Sequence, residues 1–391
     1  REPIFGARKA RDSSISPRDS GASLRMTNKK DRHYTCHHRQ GRPCCTFKSR
    51  FATLFTLMKV ILAKPRGFCA GVDRAIDVVE LALQVYGKPV YVKHAIVHND
   101  HVVRDLEQKG TIFIESVDEI PEGAHAVFSA HGSPPSDYEK AKARKLNLID
   151  ATCPLVTKVH LEAKRFGKEG YMIILVGHKG HVELRGTSGE APDHTMIVET
   201  VEDVDALKLP VQEKIAVLTQ TTLSVDDTKT VLDVIRKKYP GALFPPSSDI
   251  CYATTNRQRA VKELAKHVQL VLVVGSHASS NTNRLVEVAK NQGVPAYRIN
   301  SANDIETSWL KGVEVVGLTS GASAPEELVQ SVIEFLRKHG ADEVEELEVL
   351  QERVWFNLPM EIREAAKARG IDASLIQKHH IARGVKMSVK E

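Results

Sequence analysis

The sequence predicts an α/β protein assembled from parallel β–α units, and three observations carry that reading. From Met58 onward, short apolar runs alternate with longer segments of helical periodicity. Most of the helical segments close on Gly or on a Lys/Arg-rich turn, as helix C-termini do. Five of the apolar runs end in small or polar loops: "SAHGSPPS", "GHKGHVELRGT", "TQTTLSVDD", "GSHASSNTN" and "TSGASAPEE". In parallel sheets ligands lie at the carboxyl ends of strands, so these loops are where a site is expected. Most of them also open a helix, whose free N–H groups and positive dipole end suit an anion.

In chain order, the strand "VILA" runs into "RGFCAG" and the helix "DRAIDVVELALQVYG". The strands "VYVKHAIV", "TIFIES" and "HAVFSAHG" follow, then the helix "SDYEKAKARKL". The helix "VTKVHLEAKRFGKEG" opens just after "DATCPL"; the strands "MIILVGH", "TMIVE" and "IAVLTQ" lead to the helix "VDDTKTVLDVIRKKYP". The last third reads as helix "TTNRQRAVKELAKH", strand "LVLVVGS", helix "NRLVEVAKNQG", strands "AYRIN" and "VEVVGLTS", and helix "PEELVQSVIEFLRKHG". The tail after about 362 is expected to be helical, without an assigned function.

A chain of 391 residues suggests two or three domains. No apolar run approaches the roughly 18 to 20 residues that span a bilayer, so no transmembrane helix is expected. The formal charge of +6 is concentrated: residues 1–57 carry net +9 and the remainder net −3. A basic body is excluded, and with it the main electrostatic warrant for nucleic-acid binding. Residues 1–57 are Arg-rich and aperiodic and read as a disordered extension upstream of a true start at Met58. A transit peptide is the competing reading, so the expected location is the bacterial cytoplasm, or a plastid if that segment is real and cleaved. The "CHHRQGRPCC" run at 36–45 fits no standard zinc spacing.

Beyond that extension the cysteines are Cys69, Cys153 and Cys251, 84 and 98 residues apart, each at a loop–helix junction. Their spacing is compatible with α/β units of similar length, and the expected units run 58–153, which Cys153 closes, 154–248 and 249–341, with 342–391 as a tail. An odd number argues against a closed disulfide framework, and the absence of paired CxxC ligands argues against zinc. Thiolates in number suit an iron–sulfur cluster; full protein ligation needs four, so three leave one iron open. Three buried, unligated cysteines remain the plain alternative. Taken alone, His98 and His131 read as ordinary loop histidines, and Ser224 and Ser323 as starts of S-x-x-D/E capping boxes.

The motifs "RGFCAGVDRAI", "VHN", "SAHG", "DATCPLVTKVH", "TQTTLSVDD", "DICYATTNRQ", "GSHASSNTNRL" and "TSGASAPE", in that order, resemble the LytB family of 4-hydroxy-3-methylbut-2-enyl diphosphate reductases from Met58 to about 362. The resemblance implies three α/β domains in pseudo-threefold arrangement around one [4Fe-4S] cluster per chain, held by Cys69, Cys153 and Cys251. It implies reductive removal of an allylic hydroxyl, giving isopentenyl and dimethylallyl diphosphates. Glu183 would supply protons, with Thr221 placing the substrate hydroxyl and sharing the relay. His98, His131, His181, Ser279, Ser280, Asn281 and Ser323 would surround the diphosphate, and a ferredoxin or flavodoxin would supply electrons. The departures are Val182 and Leu184 in "GHVELRGT" and Ala95 before "IVHN"; none is an implied ligand. A non-catalytic cluster scaffold and a phosphate-binding α/β module are the rival readings, and the joint presence of Glu183, Thr221 and the diphosphate loops speaks against the first.

Overall fold

Strand β1 (Met58–Lys64) leads through a short loop into α1 (Ala70–Tyr86). The chain then runs β2 (Val90–Lys93), α2 (Asp100–Lys109), β3 (Thr111–Ile114), β4 (His125–Phe128), α3 (Pro135–Ala143) and β5 (Asn147–Asp150). Next come α4 (Pro154–Lys168), β6 (Met172–Val176), α5 (Val182–Gly189), β7 (Thr195–Val198), α6 (Val201–Ala206), β8 (Ile215–Thr219) and α7 (Val225–Lys238). The last part comprises α8 (Tyr252–Leu264), β9 (Leu270–Val274), α9 (Ser280–Asn291), β10 (Ala296–Ile299), β11 (Val315–Ser320), α10 (Glu326–Lys338), β12 (Ala341–Glu348) and α11 (Met360–Ala368). This computed structural model describes residues 58–209, 214–245 and 247–374. The expectations for 1–57, its Cys-His run included, lie outside them.

The strands form three sheets, ordered β3-β2-β4-β5, β7-β6-β8 and β10-β9-β11-β1-β12, with every registered pair parallel. Strands β8 and β9 are buried at every position, so both read as unbroken apolar runs. Sheet membership and chain order part at β1. It opens the expected first unit yet pairs with β11 and β12 of the last sheet, so the loop carrying Cys69 springs from the same sheet as the loops after β9 and β11.

Strand β12 falls in what reads from sequence as a tail. Its run "ADEVEELE" is acidic and at an edge, where outward positions face water; Lys59 Nζ lies 3.0 Å from Glu343 and 2.5 Å from Glu345, pairing cation to acid along neighbouring strands. Of the tail expected to be helical, α11 covers only its start, with Ile362 and Ala366 buried in the apolar cluster of α1, and residues 375–391 lie outside the described residues. Strand β2 ends at Lys93, four residues before its apolar run does, because His94 takes φ +58° and turns the chain out of the sheet. No described helix is long and apolar enough to cross a membrane.

Candidate active site

Each of the three cysteines is the N-cap of a helix: Cys69 of α1, Cys153 of α4 and Cys251 of α8. All three line one cavity. Gly71 makes room between two of them, since a Cβ there would stand 2.6 Å from Cys153 Sγ and 3.9 Å from Cys69 Sγ. Backbone N–H groups of Val72 favour the Cys69 thiolate, and those of Leu155 and Val156 the Cys153 thiolate, yet burial outweighs them and pushes the thiols up to about 11 and about 12. Burial raises Cys251 as well, against the Thr254 hydroxyl and N–H, which lie 3.2 and 3.4 Å from its sulfur.

Glu183 lies in the first turn of α5 and is buried, 4% exposed. Its carboxyl accepts from Thr221 N at 2.7 Å and from Thr221 Oγ1 at 3.0 Å, so the residue after "TQ" fixes both oxygens. Those bonds favour the carboxylate, but burial is the larger effect and pushes the group up to about 7. A buried carboxyl that holds its proton near neutrality, bonded to a hydroxyl, is a general acid with a ready partner.

Opposite stand the imidazoles of His98, His131 and His181. The first two rings are tilted by 32° with centroids 4.0 Å apart, and His181 meets His98 edge-on at 5.3 Å. Burial, and then repulsion from neighbouring histidines (His94 for His98; His98 and His178 for His181), push His98 and His181 down to about 4, and burial pushes His131 well below its ordinary value. They are neutral N–H donors here. His181 Nδ1 accepts the Glu183 N–H at 3.2 Å, which leaves Nε2 carrying the proton. His181 Nε2 and His98 Nε2 are buried without a hydrogen-bond partner. Ser279 caps α9, the Ser323 hydroxyl donates to His98 O at 3.1 Å, and the Ser280 hydroxyl donates to Thr222 O at 3.1 Å.

The cavity lining unites every residue singled out from sequence: Cys69, Cys153, Cys251, Glu183, Thr221, His98, His131, His181, Ser279, Ser280, Asn281 and Ser323. Asn281 is committed to the frame, its amide donating to Thr254 Oγ1 at 3.1 Å and accepting from Ala322 N at 2.9 Å. Thr254 is the residue sequence reasoning missed: it touches Cys251 and Asn281 at once. Its signal was its place three residues after a cap-position cysteine. His160 was also missed. Its ring fills the space that side chains at Gly132 and Gly186 would need, with Cβ positions 2.8 to 3.0 Å from its Cε1 and Nε2, so it wedges the loop of His131 against the helix of Glu183.

Cap thiols, a buried carboxyl and N–H and O–H donors around one cavity define an α/β protein with a polar, thiol-lined site. The family model described as LytB protein matches residues 60–337, and the chain belongs to that family. The 4-hydroxy-3-methylbut-2-enyl diphosphate reductase of Histophilus somni is 55% identical over 309 residues, covering 78% of this chain and 98% of that one. The solved structure of the E-1-hydroxy-2-methyl-but-2-enyl-4-diphosphate reductase from Plasmodium falciparum is 42% identical with a TM-score of 0.78, covering 80% of this chain and 99% of that one. A second solved structure, described as the terminal enzyme of the non-mevalonate pathway, is 34% identical with a TM-score of 0.53, covering 72% of this chain and 100% of that one.

Proposed function

We propose that this chain is an oxidoreductase that removes the allylic hydroxyl of (E)-4-hydroxy-3-methylbut-2-enyl diphosphate, giving isopentenyl and dimethylallyl diphosphates in the last step of the methylerythritol phosphate route. Two electrons and two protons enter, the C–O bond breaks, and water leaves. The observation that carries the reading is Glu183, held near neutrality by burial and bonded to Thr221 in the same cavity as the three thiols.

The donor set fits a [4Fe-4S] cluster held by Cys69, Cys153 and Cys251. The three thiols line one cavity, in which Gly71 leaves room beside Cys153 and Cys69, and they would be the groups that hold the cluster. When bound, the cluster supplies electrons and Lewis acidity. On this reading the three sheets would belong to three α/β units in pseudo-threefold order about the cluster, and an electron carrier of ferredoxin or flavodoxin type would supply its electrons.

This chain's own residues do the rest. Hydroxide is a poor leaving group, so Glu183, protonated, delivers a proton to the departing oxygen, with the Thr221 hydroxyl as the bridge between them. His98 and His181 turn their unpartnered Nε2 atoms to the diphosphate, and the hydroxyls of Ser279, Ser280 and Ser323 exchange protein partners for phosphate oxygens. The N-termini of α5 and α9 add backbone donors. Asn281 holds the cradle in register with α8. The test is turnover of the allylic diphosphate with a chemical reductant under anaerobic conditions: wild type yields both isomeric products, and Glu183→Gln binds substrate without turning it over. Undiminished turnover by Glu183→Gln removes the proton role.

A further inference from the structure

The "TTNRQ" run carries a cation that the reaction above does not use. Arg257 is fully buried, 0% exposed, on α8. Its Nε and Nη2 donate to Gly67 O at 3.2 and 2.7 Å, and Nη2 also reaches Phe68 O at 3.3 Å. These are the two carbonyls that immediately precede Cys69. Its Nη1 points the other way, to Ala253 O at 3.1 Å and to both oxygens of Glu352 at 3.0 and 3.2 Å. Asn256 Nδ2 holds the same carboxylate at 3.0 Å.

Fixing two carbonyls does not require a charge, since a neutral amide would do it with less desolvation. The charge has a use on the side of the thiols. Among the described residues the cavity wall contains no Lys or Arg, yet the three cysteine sulfurs open into it. Arg257 lies directly behind the first of them, and the Cys69 and Arg257 charges favour one another. Glu352 offsets this field only in part, because its side chain is 16% exposed against 0% for the guanidinium and is the better screened of the two.

We propose that Arg257, locked by Glu352, sets the reduction potential of the cluster as well as the position of the Cys69 loop; this rests on the reading of the three thiols as cluster ligands. Reduction adds one electron to a group already anionic, so a fixed buried cation favours the reduced form and raises the potential. Glu352, on the strap that follows β12, acts in the opposite sense through its own charge. Arg74 repeats the design more weakly: it donates to Thr152 O, just before Cys153, at 2.9 Å and to Asn357 O of the same strap at 2.8 Å, but is half-exposed.

The experiment is a redox titration of the anaerobically reconstituted full chain, followed by the optical and paramagnetic signals of the cluster after iron and sulfide have been counted. Arg257→Gln is expected to lower the midpoint potential, Glu352→Gln to raise it, and Arg257→Lys to leave it near wild type. Adjacent substitutions that remove opposite charges shift a field in opposite directions, whereas loosened packing would move both the same way. Shifts of the same sign, or none, overturn the proposal. Should Arg257→Gln fail to load iron, the other two variants decide: Glu352→Gln above wild type with Arg257→Lys at wild type supports it, and Glu352→Gln at or below wild type overturns it. Failure of the wild type itself to load iron is a different result, which refutes the ligand reading and the inference with it.

Discussion

Six helices begin at or next to cavity-lining residues, and they begin in two ways. Helices α2, α5 and α9 are capped by their own first residues: Asn99 Oδ1 accepts from His101 N and Val102 N at 3.0 and 3.3 Å, His181 Nδ1 from Glu183 N at 3.2 Å, and Ser279 Oγ from Thr282 N at 3.3 Å. Helices α1 and α4 begin with Cys69 and Cys153, whose side chains close no cap bond, and α8 begins with Cys251, which closes one sulfur contact at 3.4 Å. Tyr252 lends its hydroxyl to the uncapped Ala70 N–H at 3.1 Å, so the third cysteine's neighbour serves the first cysteine's helix. A cap residue is worth about 1 kcal/mol to a helix, and the thiol trio forgoes much of it. Positions where local stability is given up are where a ligand is expected to compensate.

The strongest challenge to that contrast is to turn thiols into caps. Cys69→Ser or Cys153→Ser is expected to raise the apo-protein's stability by up to about 1 kcal/mol, since serine caps a helix. The same change should lower iron retention and cut turnover by at least the roughly 10- to 100-fold that loss of even an outer-shell partner costs. Thermal melts of the apo-protein beside iron analysis read both, and a stability loss in step with iron loss would break the contrast. Next in size, Glu183→Gln should lower kcat by about 10² to 10⁴-fold while cluster content holds.

The titrations sharpen it further. Glu183 is pushed up to about 7, so its acid form dominates below that pH and is lost above it. The rate limb assigned to it should therefore fall as pH rises through about 7, about tenfold per unit beyond, and Glu183→Gln should erase the limb. His98 and His181, pushed down to about 4, are neutral when free; an arriving diphosphate favours their charged forms, so binding should take up protons and tighten as pH falls. Calorimetry in buffers of differing ionisation heat measures that uptake, and proton release would contradict it.

The smallest effects separate two serines that look alike in sequence. Ser224 and Ser323 both begin S-x-x-D/E. Ser224 Oγ accepts from Asp227 N at 3.2 Å and is a plain cap. Ser323 caps nothing: α10 starts later, with Pro325 as its N-cap, and the Ser323 hydroxyl turns to His98 O and Ser279 Oγ. Ser323→Ala should therefore cost about tenfold in kcat/KM, the worth of one hydrogen bond. Ser224→Ala should cost about 1 kcal/mol of stability and leave kinetics unchanged.

That pair also shows where sequence reading stops. Ten of the twelve described strands and the long helices apart from α2 were legible because apolar period is local, while β5, four residues long, was not; the loops at strand ends marked where a site would lie, and the family resemblance supplied its residues. The acidic strand β12 was not legible either, since an edge strand takes its partner from β1, some 280 residues away along the chain. Helix α5 was hidden by Gly186 and Gly189, which read as loop but permit close approach: a Cβ on Gly189 would stand 2.4 Å from Pro134. The Arg257–Glu352 pair joins residues 95 apart, a contact no local pattern announces.

The central claim is that three cap thiols and Glu183 form one reaction site. Its most direct test is to reconstitute the full chain anaerobically, count iron and sulfide, and follow substrate in the same sample, with Cys153→Ser alongside. The account predicts about four irons per wild-type chain with substrate consumed, and neither in the variant. Substrate consumed by protein that holds no iron, or a variant that loads and turns over like wild type, would contradict it.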